Sequence, residues 1–116
     1  MDARVALRVP LSPRVAAAVA DAKAGLEALY GDRVIRVVLY GSQARGDAGP
    51  GSDVDLLAVL KGNIYWHDEI RRTGALRLDL LMRHDLFVSI QPYSEDVVGA
   101  RAGTFLENVH ADGVDL

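Results

Sequence analysis

Leu39-Tyr40-Gly41-Ser42-Gln43-Ala44-Arg45-Gly46-Asp47 and, beyond Ala48-Gly49-Pro50-Gly51, Ser52-Asp53-Val54-Asp55-Leu56-Leu57 form the stretch on which the chain turns. It joins two apolar runs, Val34–Tyr40 and Val54–Leu60, that read as buried strands. Four of the chain's eleven glycines, at 41, 46, 49 and 51, lie between them. Residues i and i+2 of a strand share a face, so Asp53 and Asp55 project together. Two adjacent carboxylates repel unless a cation sits between them, and hard oxygen ligands suit Mg²⁺. Gly41-Ser42 ends the first strand, where a glycine lets backbone N–H groups approach an anion closely. If Ser42–Gly46 opens a helical turn, its start also favours phosphate. A phosphate cradle beside a metal-binding carboxylate pair is the equipment of phosphoryl or nucleotidyl transfer. Taken singly, each piece is also explained by a glycine turn before an ordinary strand; their ordered conjunction is not.

Composition narrows the class. The chain has 116 residues, 50% apolar and 25% charged, the profile of one ordinary globular domain, 1–116. Its formal charge of −3 and pI near 5.5 argue against broad nucleic-acid binding, which needs a basic face. With no cysteine there is neither a disulfide framework nor a thiolate metal site. The first eight residues are interrupted by charge and lack a signal-peptide core, and no apolar run reaches membrane-spanning length, so a cytoplasmic location is expected.

The remaining elements follow in order. Val5, Leu7 and Val9 alternate, permitting a short strand or an extended arm. Ser12-Pro13 is a helix start, and Val15, Val19, Ala22, Leu26, Leu29 and Tyr30 recur at helical spacing, predicting an amphipathic helix over 13–30. Strands are expected at about 34–40, 53–60 and 86–92, the last stopped by Pro92. The stretch 65–84 reads either as a strand through Leu76, Leu78, Leu80 and Met82 or as a helix with Ile70, Gly74, Leu78, Leu81 and Met82 along one stripe. The longer persistence favours the helix, with Asp79 and Arg83 as a surface pair. Short helices are expected at about 95–102 and from the Thr104–Glu107 capping box to about His110. Met82 and Phe105 read as core. Trp66 reads as packing, or as an interface marker if exposed. His67, His84 and His110 match no ligand spacing. The expected fold class is α/β (α+β), a small mixed sheet flanked by helices 13–30 and 65–84.

The motif Gly41-Ser42-x-Ala44-Arg45-Gly46-Asp47 followed by Ser52-Asp53-x-Asp55-Leu56 resembles the signature of the minimal nucleotidyltransferases, within the DNA polymerase β-like superfamily. The tail from Val88 through Tyr93-Ser94-Glu95 to Phe105–Val109 and Gly113-Val114 resembles a subgroup of these small proteins. The resemblance implies a nucleotidyltransferase fold, with Gly41 and Ser42 holding the outer phosphates of ATP. It also implies Mg²⁺ bound by Asp53 and Asp55, which would be both catalytic and metal-binding. Arg45 could meet a phosphate or pair with Asp47. It further implies AMP transfer to a hydroxyl, on a partner protein, by the antitoxin of a toxin–antitoxin pair whose partner is a helical HEPN-type ribonuclease toxin. A homo-oligomer is compatible with this. Superfamily members usually add a third carboxylate from a later strand. The strand Phe87-Val88-Ser89-Ile90-Gln91 offers none, and Asp79 is a weak candidate on a helix face. The alternative is therefore a protein of the same fold, catalytically weak, that neutralises its partner by binding alone.

Overall fold

The computed structural model describes residues 10–100 and 103–116; the expected arm around Val5, Leu7 and Val9 lies outside them, as do the last two residues of the helix expected at 95–102. Helix α1 spans Pro13–Tyr30 as the sequence predicts. Ser12 Oγ accepts a hydrogen bond from the Val15 N–H at 3.2 Å, and Pro13 occupies the first turn, where its missing donor costs nothing. Gly31 ends the helix at φ 55°. The buried residues Val15, Ala18, Val19, Ala22, Leu26 and Tyr30 make one stripe, from which Leu29 turns outward.

A four-stranded mixed sheet follows, in the order β3-β2-β1-β4. β1 is Val34–Tyr40, β2 Val54–Leu60, β3 Val88–Ser94 and β4 Val114–Asp115. β2 is central, antiparallel to β1 and parallel to β3, which is why six of its seven residues are buried. β3 runs through Pro92 instead of stopping there. It is an edge strand, where a proline can sit without removing a ladder bond. β4, unforeseen from the sequence, pairs with Val38 and Leu39 of β1.

The sheet is covered on both faces. Val37, Leu39, Leu56, Ala58, Leu60, Val88 and Ile90 pack with the α1 stripe and with Leu80. On the opposite face Val38, Leu57 and Val59 pack with Val98 of α5 (Glu95–Ala100) and with Leu106 and Val109 of α6 (Gly103–Asp112). The expected pair of covering helices thus accounts for one face only.

The helix expected at 65–84 is two, α3 (Trp66–Arg72) and α4 (Gly74–His84). Between them the Thr73 hydroxyl donates back to the carbonyls of Glu69 and Ile70 at 3.1 and 3.2 Å, a bond that competes with helix continuation. The buried line also differs from the expected stripe. Glu69, Thr73 and Leu80 are buried, whereas Leu78 is 59% and Met82 77% exposed, so Met82 is not core. The cause is on the neighbouring helix: Gly25 leaves a gap into which Leu76 packs, and that contact sets how α4 rolls against α1. Trp66, at 49%, and Phe105, at 37%, are exposed as well. Asp79 lies on α4 and accepts from Arg83 Nη2 at 2.7 Å, the surface pair the sequence predicts. Among the described residues no helix is long and apolar enough to cross a membrane.

Candidate active site

β1 ends at Tyr40, and Gly41 turns the chain at φ 76°, ψ −156°. Essentially only glycine adopts that combination. A second reason for glycine is space, since a Cβ there would lie 2.5 Å from Oδ2 of Asp55. The turn delivers the chain into α2, a single helical turn Ser42–Arg45, in which the N–H groups of Ala44 and Arg45 bond the Gly41 carbonyl at 3.1 and 3.0 Å. The first N–H groups of such a turn have no partner within it. Gly46, at φ 84°, closes the turn.

The loop to β2 is pinned, not slack. Gln43, on the buried side of α2, donates from Nε2 to the Ser52 carbonyl at 3.3 Å, and Ser52 Oγ accepts from the Gly49 N–H at 2.9 Å. These bonds fix the approach to Asp53, which stands one residue before β2 and is exposed. Sequence reading passed over Gln43 because it fills the variable position of the motif. Its one available signal was an amide flanked by residues that needed the turn.

Strand register gathers the rest. Tyr40 pairs with Asp55 across β1 and β2, and Asp55 with Ser89 across β2 and β3, so the three side chains stand in a row on one face. The Ser89 hydroxyl stands beside both neighbours, near enough to act on the ionisation of each. Burial pushes the Asp55 carboxyl above the usual carboxylate range; Ser89 opposes this, Asp53 adds to it by charge repulsion, and Arg45 pulls the other way. Burial likewise pushes the Tyr40 phenol up to about 12, opposed by Ser89 and helped by the Asp55 and Tyr93 charges.

Tyr40, Gly41, Ser42, Arg45 and Asp55 line one cleft of about 350 Å³, closed on its far side by Phe105, Asn108 and Asp112 of α6. Phe105 meets Tyr40 edge-on at 5.4 Å and stacks on Tyr93 at 5.7 Å. Arg45 donates to Asp47 and to Asp112, both at 3.2 Å, so the surface pairing holds and extends to α6. A hollow of about 530 Å³ beside Tyr65, Trp66 and Tyr93 is larger but holds neither Asp53 nor Asp55. Chemistry, not volume, identifies the site.

Four of the five residues singled out by sequence (Gly41, Ser42, Arg45 and Asp55) therefore share one cleft, whereas Asp53 lines a neighbouring one. The donor set suits Mg²⁺: two hard carboxylates, near enough for one to raise the pKa of the other, are relieved by a cation between them. Among the described residues no group of three or more acids, histidines or cysteines converges. Level with Asp55 on β3 stands Ser89, not an acid. The histidines lie elsewhere: His84 bonds Asp21 at 2.8 Å, His110 the Val98 carbonyl at 3.1 Å, and His67 packs edge-on against Trp66.

The fold is shared with known structures. A crystal structure described as a toxin–antitoxin with AMP-PNP superposes with a TM-score of 0.57 at 18% identity, covering 82% of this chain and 69% of that one. A mutant form of the toxin–antitoxin MntA-HpeT gives 0.53 at 17%, covering 81% and 68%. A protein of Sulfolobus solfataricus, described as a nucleotidyltransferase, gives 0.55 at 18%, covering 93% and 89%. No curated protein matches the chain by sequence. The nucleotidyltransferase domain profile matches residues 20–98, from the middle of α1 through the glycine turn and both carboxylates into α5. The chain belongs to the nucleotidyltransferase domain family.

Proposed function

We propose that this protein transfers AMP from ATP to a hydroxyl on a partner protein, as the antitoxin of a toxin–antitoxin pair whose toxin is a helical, HEPN-type protein. The observation that carries the reading is the Gly41–Asp55 approach. A glycine-only backbone is folded directly against one member of a carboxylate pair, inside a chain of the nucleotidyltransferase family. The likeness to toxin–antitoxin structures, one of them with AMP-PNP, supports the choice of nucleotide and partner.

In this reading Gly41 and Ser42 cradle the outer phosphates, with Arg45 exchanging a carboxylate partner for a phosphate. Asp53 and Asp55 hold Mg²⁺, which supplies positive charge to the triphosphate oxygens when bound. Gly41 confines the Asp55 carboxylate by close approach, and strand register sets Ser89 beside it. The acceptor oxygen forms a bond to the α-phosphorus as the bond to the bridging oxygen breaks. Pyrophosphate leaves, and the hydroxyl proton passes to solvent through the open side of the site. The cleft is open and the described residues build no lid over it, so the partner excludes water from the reacting phosphorus. The acidic balance suits a basic partner surface.

Ser89, in place of an acid, favours a second reading, in which the protein neutralises its partner by binding alone. One experiment separates the two. The protein is incubated with labelled ATP, Mg²⁺ and the helical protein encoded beside it, followed by mass spectrometry and growth rescue, for wild type and Asp53→Asn/Asp55→Asn. Partner mass raised by one AMP, with rescue lost in the double variant, is the expected result. Rescue kept by the double variant establishes binding alone, and no complex and no rescue by either protein refutes the antitoxin role.

A further inference from the structure

The carboxylate pair stands between two clefts. Asp55 lines the cleft that also contains Gly41, Ser42 and Arg45. Asp53 lines another, of about 210 Å³, with Ser89, Gln91, Phe87, Ile70 and Arg77. Strand order β3-β2-β1 sets them apart: the glycine turn leaves β1 on one side of the carboxylate strand, and Ser89 and Gln91 stand on β3 at the other. Displacement at phosphorus is in line, with nucleophile and leaving group on opposite sides of the reacting atom. Pyrophosphate over Gly41-Ser42, the reading above on which this inference rests, leaves the β3 side as the direction of attack.

We propose that the cleft between Asp53 and Phe87 is the acceptor site, that it takes a hydroxyl carried by a polypeptide segment, and that Phe87 seats the segment. Phe87 is 66% exposed although its neighbours Leu86 and Val88 are buried, so its ring stands free at the cleft mouth. Ile70 extends the apolar wall, and Gln91 and Ser89 offer donors and acceptors on the sheet face. This mixture fits amide groups beside apolar side chains. It does not fit a nucleic-acid end, whose phosphates would approach Asp53 with Arg77 as the one lining cation. That guanidinium already bonds the Ile70 carbonyl at 2.7 Å. Nucleic-acid affinity draws on several neutralised phosphates.

The test uses two measurements on the intact chain. In the first, the protein with Mg²⁺ and α-labelled ATP is offered serine, threonine and tyrosine peptides and an RNA oligonucleotide with a free 3′-hydroxyl. Peptide is labelled and RNA is not. Phe87→Ala raises the peptide KM at least tenfold while the Kd for Mg-ATP is unchanged; exposure of the ring makes this a test of the cleft and not of folding. Met82→Ala, on an exposed face outside the cleft, alters neither value. In the second, backbone amide spectra of the AMP-PNP-bound protein are followed during titration with millimolar peptide, and shifts concentrate at Phe87–Gln91. A peptide KM within twofold of wild type in Phe87→Ala, labelled RNA, or peptide shifts that are absent or elsewhere overturns the proposal. AMP-PNP that leaves Gly41–Arg45 unperturbed overturns the nucleotide reading itself, and this inference with it.

Discussion

Replacing Gly41 by alanine should damage both stability and ligand binding, in amounts that can be separated. The backbone at φ 76°, ψ −156° is a region that L-residues avoid, at a cost of about 1–3 kcal/mol. The new Cβ would also lie 2.5 Å from Asp55 Oδ2, too close for any real contact. The carboxylate would move instead of the strand, out of its rotamer and away from the place beside Ser89 that the register gives it, at a cost of about 1 kcal/mol. The sum is about 2–4 kcal/mol, or roughly 10 °C in thermal midpoint for a domain of this size. Urea denaturation of wild type, Gly41→Ala, Asp55→Ala and the double variant apportions it. Asp55→Ala removes the overlapping atoms and leaves Cβ at 3.5 Å, an ordinary contact. Gly41→Ala should therefore cost about 1 kcal/mol less in the Asp55→Ala background than in the wild type. A coupling energy below about 0.5 kcal/mol would refute the claim that glycine is needed here to admit the carboxylate. Calorimetry with Mg-ATP gives the functional arm, since a displaced Asp55 should abolish the binding signal even at temperatures where Gly41→Ala is folded.

Three further outcomes are expected. Asp55 has a folded-state pKa raised by burial, so its contribution to stability is full below the ordinary carboxylate pKa and is lost as pH rises through the raised value. At pH 7 the ionised group is a net cost. Asp55→Asn should then stabilise the ligand-free protein slightly while removing divalent-ion binding; a destabilised variant contradicts this. Tyr30→Phe deletes a buried hydrogen bond of 2.9 Å to Glu69, which keeps Arg72 at 2.9 Å, and should cost about 2 kcal/mol in urea denaturation. Because the Tyr30 phenol is pushed up to about 12, that loss should be constant from neutral pH to about pH 10 and fade between the ordinary phenol pKa and about 12. Asp21 is held below its usual range chiefly by its bond with His84, so it stabilises above the ordinary carboxylate pKa and ceases to as pH falls through the lowered one. Asp21→Asn should flatten the acid limb of the stability profile, read by thermal midpoints between pH 3 and 5.

Local chemistry was legible in the sequence, and long-range chemistry was not. Ser12-Pro13 placed the start of α1 because the cap and the proline act within one turn. The alternation around Asp53 and Asp55 placed β2 and its two faces because strand period is a property of consecutive residues. Gly41 was legible as a phosphate cradle, but its stronger reason for being glycine is Asp55, brought opposite by antiparallel pairing. Ser89 could not be placed beside Asp55 without the register of a parallel pair separated by more than thirty residues, including two helices. The roll of α4 escaped for a similar reason. A stripe through Leu78 and Met82 has the right period, but the gap at Gly25 selects Leu76 and turns those two to solvent. Periodicity says that a helix has a buried face; only the partner surface says which.

The distribution of unfavourable features supports a ligand-dependent site at the Gly41 end of the sheet. Glycine-only backbone at Gly41, a half-buried carboxyl at Asp55 and a like-charged neighbour at Asp53 are all concentrated there. The opposite face is built of interlocked aliphatic side chains from β1, β2, β3, α1 and α4 with Tyr30, and its buried carboxylate, Glu69, is paired with Tyr30 and Arg72. A core with no such conflicts can hold a strained turn in place, and strain of this kind persists only where surrounding structure over-determines it. A cation between Asp53 and Asp55 removes the repulsion, and ligand binding to the native state alone raises apparent stability with concentration. Mg²⁺ with a nucleoside triphosphate should therefore raise the thermal midpoint of the wild type more than that of Asp53→Asn/Asp55→Asn, measured side by side. The double variant lacks the repulsion from the outset and has no carboxylate to recruit the ion. Equal shifts in the two proteins would place the nucleotide somewhere other than between the glycine turn and the carboxylate strand.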